Sequence, residues 1–458
     1  MSARTGAPAS LATAGDGCRI QPADVVDVQQ FIDGNRLGAM QWLTVALCFL
    51  VVALDGFDTA IMGFVAPALA DAWHVARADL APVLSAALFG LAIGALCAGP
   101  LSDRYGRRRV LLVSVLTFGL FTLAAAAASS MTGLIAFRFL TGLGLGAAMP
   151  NAITLTSEYG PARRRAFITM IMFAGFTLGS AAGGFIAAAM IPMFGWQSML
   201  ALGGVLPLGL FVLLWLWLPE SPRFLVVRQR PAAEVAALLR RIAPLAFTER
   251  TRFVIPEKAD VSGRSSIAVL FVDRLASGTV LLWLTYFMGL AIIYMLGSWL
   301  PTLIRDAGFD LEQAAVVTGL FQLGGTVGAI LVGWLMDRIS PYRVIAAAYA
   351  FGAVFIFAVG RGSGDIVLLA GFVLGAGFCM SGAQSAMSAL AAAFYPTRGR
   401  ATGVAWMLGI GRFGAIAGAM LGGVLLQLGW HFASIFALLA VPALIAAAAL
   451  LIKEKIYR

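Results

Sequence analysis

The sequence predicts an all-α membrane protein of twelve transmembrane helices in two six-helix pseudo-repeats, with both termini in the cytoplasm. Three observations predict it. Of 458 residues, 60% are hydrophobic and 12% charged, with a mean hydropathy of +0.91; a soluble domain carries about 25% charged residues. Apolar runs follow one another along most of the chain, each near the roughly 20 residues that cross a bilayer. The second half repeats landmarks of the first at a nearly constant offset. So few charges cannot cover a soluble surface. That excludes a cytosolic enzyme, a disordered regulator and a secreted disulfide scaffold.

Residues 1–40 read as a polar cytoplasmic tail. No continuous apolar stretch precedes Trp42, so no cleavable leader is expected, and a short surface helix is expected near Val25–Phe31. The first bundle occupies 41–218, with spans at 41–68, 80–100, 109–128, 133–157, 166–190 and 197–218. A basic linker at 219–278 separates it from the second bundle at 279–452. The spans there are 279–303, 313–336, 343–361, 365–392, 400–427 and 430–452, and a tail closes the chain at 453–458.

The net charge of +10 reads as orientation. Of the 32 lysines and arginines, 27 fall in the tails, the linker and the loops on their side. Three (Arg77, Arg305, Arg361) fall on the other side and two (Arg138, Arg412) inside spans. Excess basic residues mark cytoplasmic loops, so the balance needs no nucleic acid. Cys18, Cys48, Cys97 and Cys379 are far apart, as are His74 and His431, and suggest neither disulfides nor a metal site.

The repeat is explicit. Gly99, Asp103, Arg104 and Arg109 match Gly333, Asp337, Arg338 and Arg343 at an offset of 234, which Pro67 and Pro301 share. Pro161, Arg163, Arg165 and Ala166 match Pro396, Arg398, Arg400 and Ala401 at 235, as Gly179 and Gly183 match Gly414 and Gly418. Two parallel repeats are the layout of a rocking transporter with its site at their interface.

Charges inside spans are the functional candidates, since an ionised side chain at mid-bilayer costs roughly 2.5–3.5 kcal/mol on insertion scales. Asp55 and Asp58 lie on one face of the first span, about 60° apart. Carboxylates so close resist ionising together, which suits a proton carrier; a structural pair capped by hydroxyls or water is the alternative. Arg412, near mid-depth of the eleventh span, either grips a substrate carboxylate by its planar fork or pairs with Asp55 or Asp58. Arg138 lies near the outer third of the fourth span and can snorkel outward. Glu158, at the inner end of that span, reads as an inner-gate ion pair beside Arg163–Arg165. The Gly409–Gly414 run matches G-x-G-x-x-G literally but lies inside an apolar run with no preceding strand, so it serves helix packing, as do Gly142, Gly144 and Gly146.

These residues also carry a resemblance. Gly99-Pro-Leu-Ser-Asp-Arg-Tyr-Gly-Arg-Arg108 resembles the loop signature of the major facilitator superfamily, and Arg138-Phe-Leu-Thr-Gly-Leu-Gly-Leu-Gly its fourth-helix motif. Pro219-Glu-Ser-Pro-Arg223 resembles the motif after helix six of several solute porters. Asp55-Gly-Phe-Asp58, Trp283-Leu-Thr-Tyr-Phe-Met-Gly289, Gly382-Ala-Gln-Ser-Ala-Met387 and the segment Gly403–Gly414 narrow it to the aromatic acid:proton symporters, in their 4-hydroxybenzoate/protocatechuate permease subgroup. The resemblance covers nearly the whole chain after residue 25.

It implies a major facilitator fold and proton-coupled uptake of aromatic carboxylates across the inner membrane. It gives Asp55, Asp58 and Arg138 roles in proton coupling. Asp103, Arg104, Asp337 and Arg338 would latch the outward-open state, with Glu158, Arg398 and Arg400 among the gating residues. An aromatic acid wants flat apolar walls with few polar groups; the candidates beside Arg412 are Phe57, Phe64, Tyr286, Tyr294, Phe321, Gln322, Gln384 and Trp406, and one of the two amides would bind a ring hydroxyl. No cofactor is expected beyond the proton gradient. The expected partners are substrate, protons and the bilayer, without nucleic acid, and the chain is expected to act as a monomer. A porter for a sugar or another organic acid, or an exporter, is the first alternative. A transporter-like membrane sensor is the second, although the linker and tails are short for an output domain. Enzyme activity is not expected, since no nucleophile–base set appears.

Overall fold

The computed structural model describes residues 25–161, 165–242, 247, 251–255, 268–271, 275–336, 338–362, 364–395 and 400–457. Among the described residues, twelve helices are long and apolar enough to cross a membrane. The first six are α2 (Ala39–Trp73), α3 (Ala81–Tyr105), α4 (Arg107–Ala126), α5 (Met131–Tyr159), α6 (Arg165–Phe194) and α7 (Trp196–Trp217). The second six are α10 (Leu275–Asp306), α11 (Leu311–Met336), α12 (Pro341–Arg361), α13 (Ile366–Phe394), α14 (Arg400–Gln427) and α15 (Phe432–Tyr457). Between the sets the linker folds into α8 (Pro222–Val227) and α9 (Ala232–Arg240).

The tail holds more order than expected. Asp27 caps α1 (Val28–Gly34), accepting from the backbone N–H of Gln29 at 2.8 Å. Before it, β1 (Val25–Asp27) pairs in parallel with β2 (Arg252–Val254) of the linker, a small sheet that the all-α expectation did not contain.

Helices end where the sequence supplies the means. Gly106, at φ 98°, joins α3 to α4 in a backbone region closed to most side chains, and a Cβ there would run into the Glu220 carboxylate. Within each half, glycines bring backbones together. A Cβ on Gly142 of α5 would collide with the Ala87 carbonyl of α3, and one on Gly179 of α6 with that of Ala53. The second half repeats this: Gly377 of α13 abuts the Phe321 carbonyl of α11, and Gly418 of α14 that of Ala291. Such small-residue seams replace hydrophobic driving force between helices in lipid.

The halves meet along three seams. Gly63 of α2 lies against the Gly297 backbone of α10, and Gly184 of α6 against Gly319 of α11. Leu88 of α3 packs with Ala415, Ile416 and Ala419 of α14. Among the described residues, every ion pair joining the halves lies on the face opposite the linker: Arg305 with Asp71, and Arg77 with Asp306.

Candidate functional site

The two aspartates of α2 have different partners although they share a helix face. Asp58 is fully buried and paired with Arg138 of α5, Nη1 to Oδ2 at 3.0 Å, with Nη2 donating to the Asp58 carbonyl at 3.2 Å. Thr122 of α4 donates to Asp58 Oδ1 at 2.8 Å and lies 3.3 Å from the Thr141 hydroxyl. Arg138 is 1% exposed, so it does not snorkel to an interface; Asp58 holds it inside the first half. Arg138 Nη1 also donates to Asp58 Oδ1 at 3.1 Å, whereas Arg138 Nε has no hydrogen-bond partner among the described residues. Asp55 is also buried, but its recorded partner is the Thr59 hydroxyl at 3.4 Å.

Arg412 of α14 makes no ion pair within 4.0 Å among the described residues, which corrects a standing bridge to either aspartate. It is half-buried. Asp55, Tyr286 and Tyr294 lie within its electrostatic reach. Tyr286 packs on Gly411, where any larger residue would displace the ring. Gln384 of α13 closes this wall: its Oε1 accepts from the Tyr349 hydroxyl at 2.7 Å and its Nε2 donates to the Tyr286 carbonyl at 3.3 Å. The centre therefore holds a neutral pair in the first half and an uncommitted guanidinium with two phenols in the second. Asp55 faces across between them.

Four of the aromatic candidates do not belong to this wall. Phe57 and Phe64 are 3% and 0% exposed and fill the space beside Gly183 of α6. Phe321 is packed at 1% exposure in the same core. Trp406 stacks on Trp283, centroids 5.8 Å apart, about 120° around α14 from Arg412. Bulk decides these cases: large apolar rings fill helix seams before they line a polar centre.

The model of the Major Facilitator Superfamily matches residues 48–377 and 282–456. The chain belongs to the major facilitator superfamily. This facilitator is 56% identical to the 4-hydroxybenzoate transporter PcaK of Pseudomonas aeruginosa, over 93% of the chain and 96% of that protein. It is 52% identical to a gallate transporter of Pseudomonas putida, over 94% and 96%. Among solved structures, the inward-open xylose transporter XylE of E. coli superposes with a TM-score of 0.68 at 16% identity, covering 90% of the chain and 95% of that structure. That likeness bears on the fold alone.

At the linker face the facilitator's charged residues pair within one half. Asp103 bonds Arg107 at 2.8 Å rather than its neighbour Arg104, which lies over the Tyr105 ring. Arg107 also reaches Glu158 at 3.6 Å, and Ser221 donates to Glu158. Glu158 thus pairs toward the α3–α4 loop; Arg163, Arg164 and the side chain of Arg165 lie outside the described residues. Glu220 accepts from the Arg108 backbone N–H at 3.1 Å. Its counterpart 234 positions on, Glu454, bonds Arg343 at 3.0 Å and Ser340 at 3.1 Å, so each half staples its second loop to the end of its last helix. Arg338 lies over the Trp334 ring at 3.9 Å. Asp337 and Arg398, and the side chain of Arg400, lie outside the described residues.

Sequence reasoning missed the opposite face. Asp71 and Arg77 of the first half engage Arg305 and Asp306 of the second, beside a cleft of about 500 Å³ lined by Asp71, Trp196, Gln197 and Arg305. Arg77 and Arg305 entered the reading only as outside charges. The signal was available as an Asp or Arg at the end of each half's first helix.

Proposed function

We propose that this chain imports small aromatic carboxylates, foremost 4-hydroxybenzoate and protocatechuate, together with protons, by alternating access of its halves in the inner membrane. The observation that carries the reading is Arg412: a guanidinium inside a span, without an ion pair among the described residues, beside two phenols. A relative 56% identical is named a 4-hydroxybenzoate transporter and one 52% identical a gallate transporter, which supports aromatic acids as cargo.

The charges suggest how a proton is coupled. Without substrate, Asp55 and Arg412 balance each other across the centre. An arriving carboxylate takes the fork of Arg412, with Tyr286 and Tyr294 flanking its ring. Asp55 then holds a proton, and the loaded centre stays neutral while the halves rock. An anion entering against a negative-inside potential loses about 2.3 kcal/mol per 100 mV, which one proton cancels. Asp58 and Arg138 form a second buried charge pair, and breaking it would let Asp58 take a second proton. Asp71, Arg77, Arg305 and Asp306 act as the outer gate, and the linker face is cytoplasmic by its basic charge. The protein works as a monomer, with the proton gradient as its energy source and no cofactor.

Uptake into proteoliposomes of benzoate, 4-hydroxybenzoate, protocatechuate, gentisate and glucose, with and without an inward pH gradient, tests this. Aromatic acids alone should accumulate, and faster with the gradient. Glucose uptake without aromatic acid uptake overturns the reading; indifference to the gradient removes proton coupling.

A further inference from the structure

The two amides singled out in the spans end in different situations. Gln384 is committed at both ends of its amide, to Tyr349 and to the Tyr286 carbonyl. Gln322 of α11 is 8% exposed, and its side chain makes no hydrogen bond among the described residues. An amide inside a membrane protein that bonds no other side chain or backbone group has its hydrogen bonds met by water or by cargo in the space it faces.

Its position says which. Gln322 lies on the face of α11 that forms the seam with the first half. Gly319, one turn away, abuts Gly184 of α6, and Thr326, one turn the other way, donates to the Thr177 hydroxyl at 2.8 Å. Counted at 1.5 Å per residue from the linker-face helix ends, Gln322 lies about 21 Å in, Arg412 about 18 Å and Asp55 about 24 Å. The free amide and the free guanidinium therefore sit at one level, on two helices of the second half, next to the interface that a rocking transporter uses for its cargo.

We propose that Gln322 recognises a ring hydroxyl of the substrate and so sets the preference for hydroxylated over plain benzoates. The inference rests on the aromatic-acid reading above. A phenol is both donor and acceptor, and a primary amide offers Oε1 and Nε2–H together, so one residue answers both capacities. A site built to bond a hydroxyl rejects the analogue that lacks it, because the amide is then left bare.

The test is the ratio of transport efficiencies for 4-hydroxybenzoate and benzoate in proteoliposomes, for the unaltered protein and for Gln322→Met, which keeps the length and flexibility of the side chain. The ratio is expected to fall roughly tenfold or more. A purely structural role lowers both substrates together, and an unchanged ratio overturns the inference. Should Gln322→Met fail to insert, Gln322→Asn reads the same ratio: the amide is withdrawn by one methylene, the ratio should again fall, and no change again overturns the proposal. If the unaltered protein transports neither acid, the aromatic-acid reading fails first and this inference with it.

Discussion

Replacing Arg138 by Gln should be among the most damaging single changes in the first half, and adding Asp58→Asn should repair it. Both side chains are at or below 1% exposure, and they meet at 3.0 Å with one supporting hydroxyl, Thr122. Removing one partner of a buried pair strands the other charge, at about 3–5 kcal/mol. Thr122 recovers about 1 kcal/mol of that at most. Replacing both with neutral amides strands nothing, and a buried pair contributes little net stability against neutral isosteres. The double variant should therefore exceed Arg138→Gln by about 2 kcal/mol or more. The assay is thermal unfolding in detergent of the four proteins of this cycle, all at equal purity. The expected order of melting temperature is unaltered, then double, then Arg138→Gln. Transport gives a second readout: the double variant keeps the proton carried by Asp55 and loses the second, so its accumulation under a pH gradient should fall without vanishing. A double variant that melts lower than Arg138→Gln, by the sum of the two single effects, would refute the coupling of this pair.

Other outcomes follow from the same structure. Arg412→Ala should reach the membrane normally and lose nearly all aromatic acid uptake, since no other free guanidinium is seen beside Tyr286 and Tyr294 among the described residues; uptake at the unaltered rate would sink the carboxylate role. Asp55→Asn should leave substrate exchange intact and abolish stimulation by external acid, measured as initial uptake at two outside pH values. Asp71→Arg or Arg305→Asp alone should open the outer face, raising labelling of a cysteine placed in the cleft beside Trp196, whereas the two together restore the pair with reversed polarity and lower it again. Gly106→Ala should destabilise the protein by about 1–2 kcal/mol, from the left-handed backbone and the Glu220 contact, read as a lower melting temperature.

Much of the architecture is legible without coordinates. The twelve spans follow from run length and composition, and the helix ends mostly fall within a few residues of where the apolar runs stop. The repeat was visible at Asp103 and Arg104, and it extends further than those loops showed: Glu220 and Glu454 keep the same spacing and do the same work. The site was legible only as a set of misplaced charges. Asp55, Asp58, Arg138 and Arg412 stand out because each is costly in an apolar run. The aromatic candidates had no such mark among 31 phenylalanines, and Phe57, Phe64 and Phe321 are buried in the core.

The sequence by itself determined which segments cross the membrane, that the halves are copies, and which residues must find polar company there. These are local properties, summed over some 20 residues of transfer free energy or read from one short motif. The tertiary structure alone decided the partners. Asp58 meets Arg138 across 80 residues, Asp55 comes within electrostatic reach of Arg412 without pairing, and Asp71 meets Arg305 across the halves. It also decided that Gln384 is engaged while the Gln322 side chain makes no hydrogen bond among the described residues. Rotation of each helix about its axis makes those choices, and glycine seams such as Gly142 on Ala87 and Gly418 on Ala291 fix that rotation. Residues three apart on one helix can therefore serve different partners, which no spacing along the chain reveals.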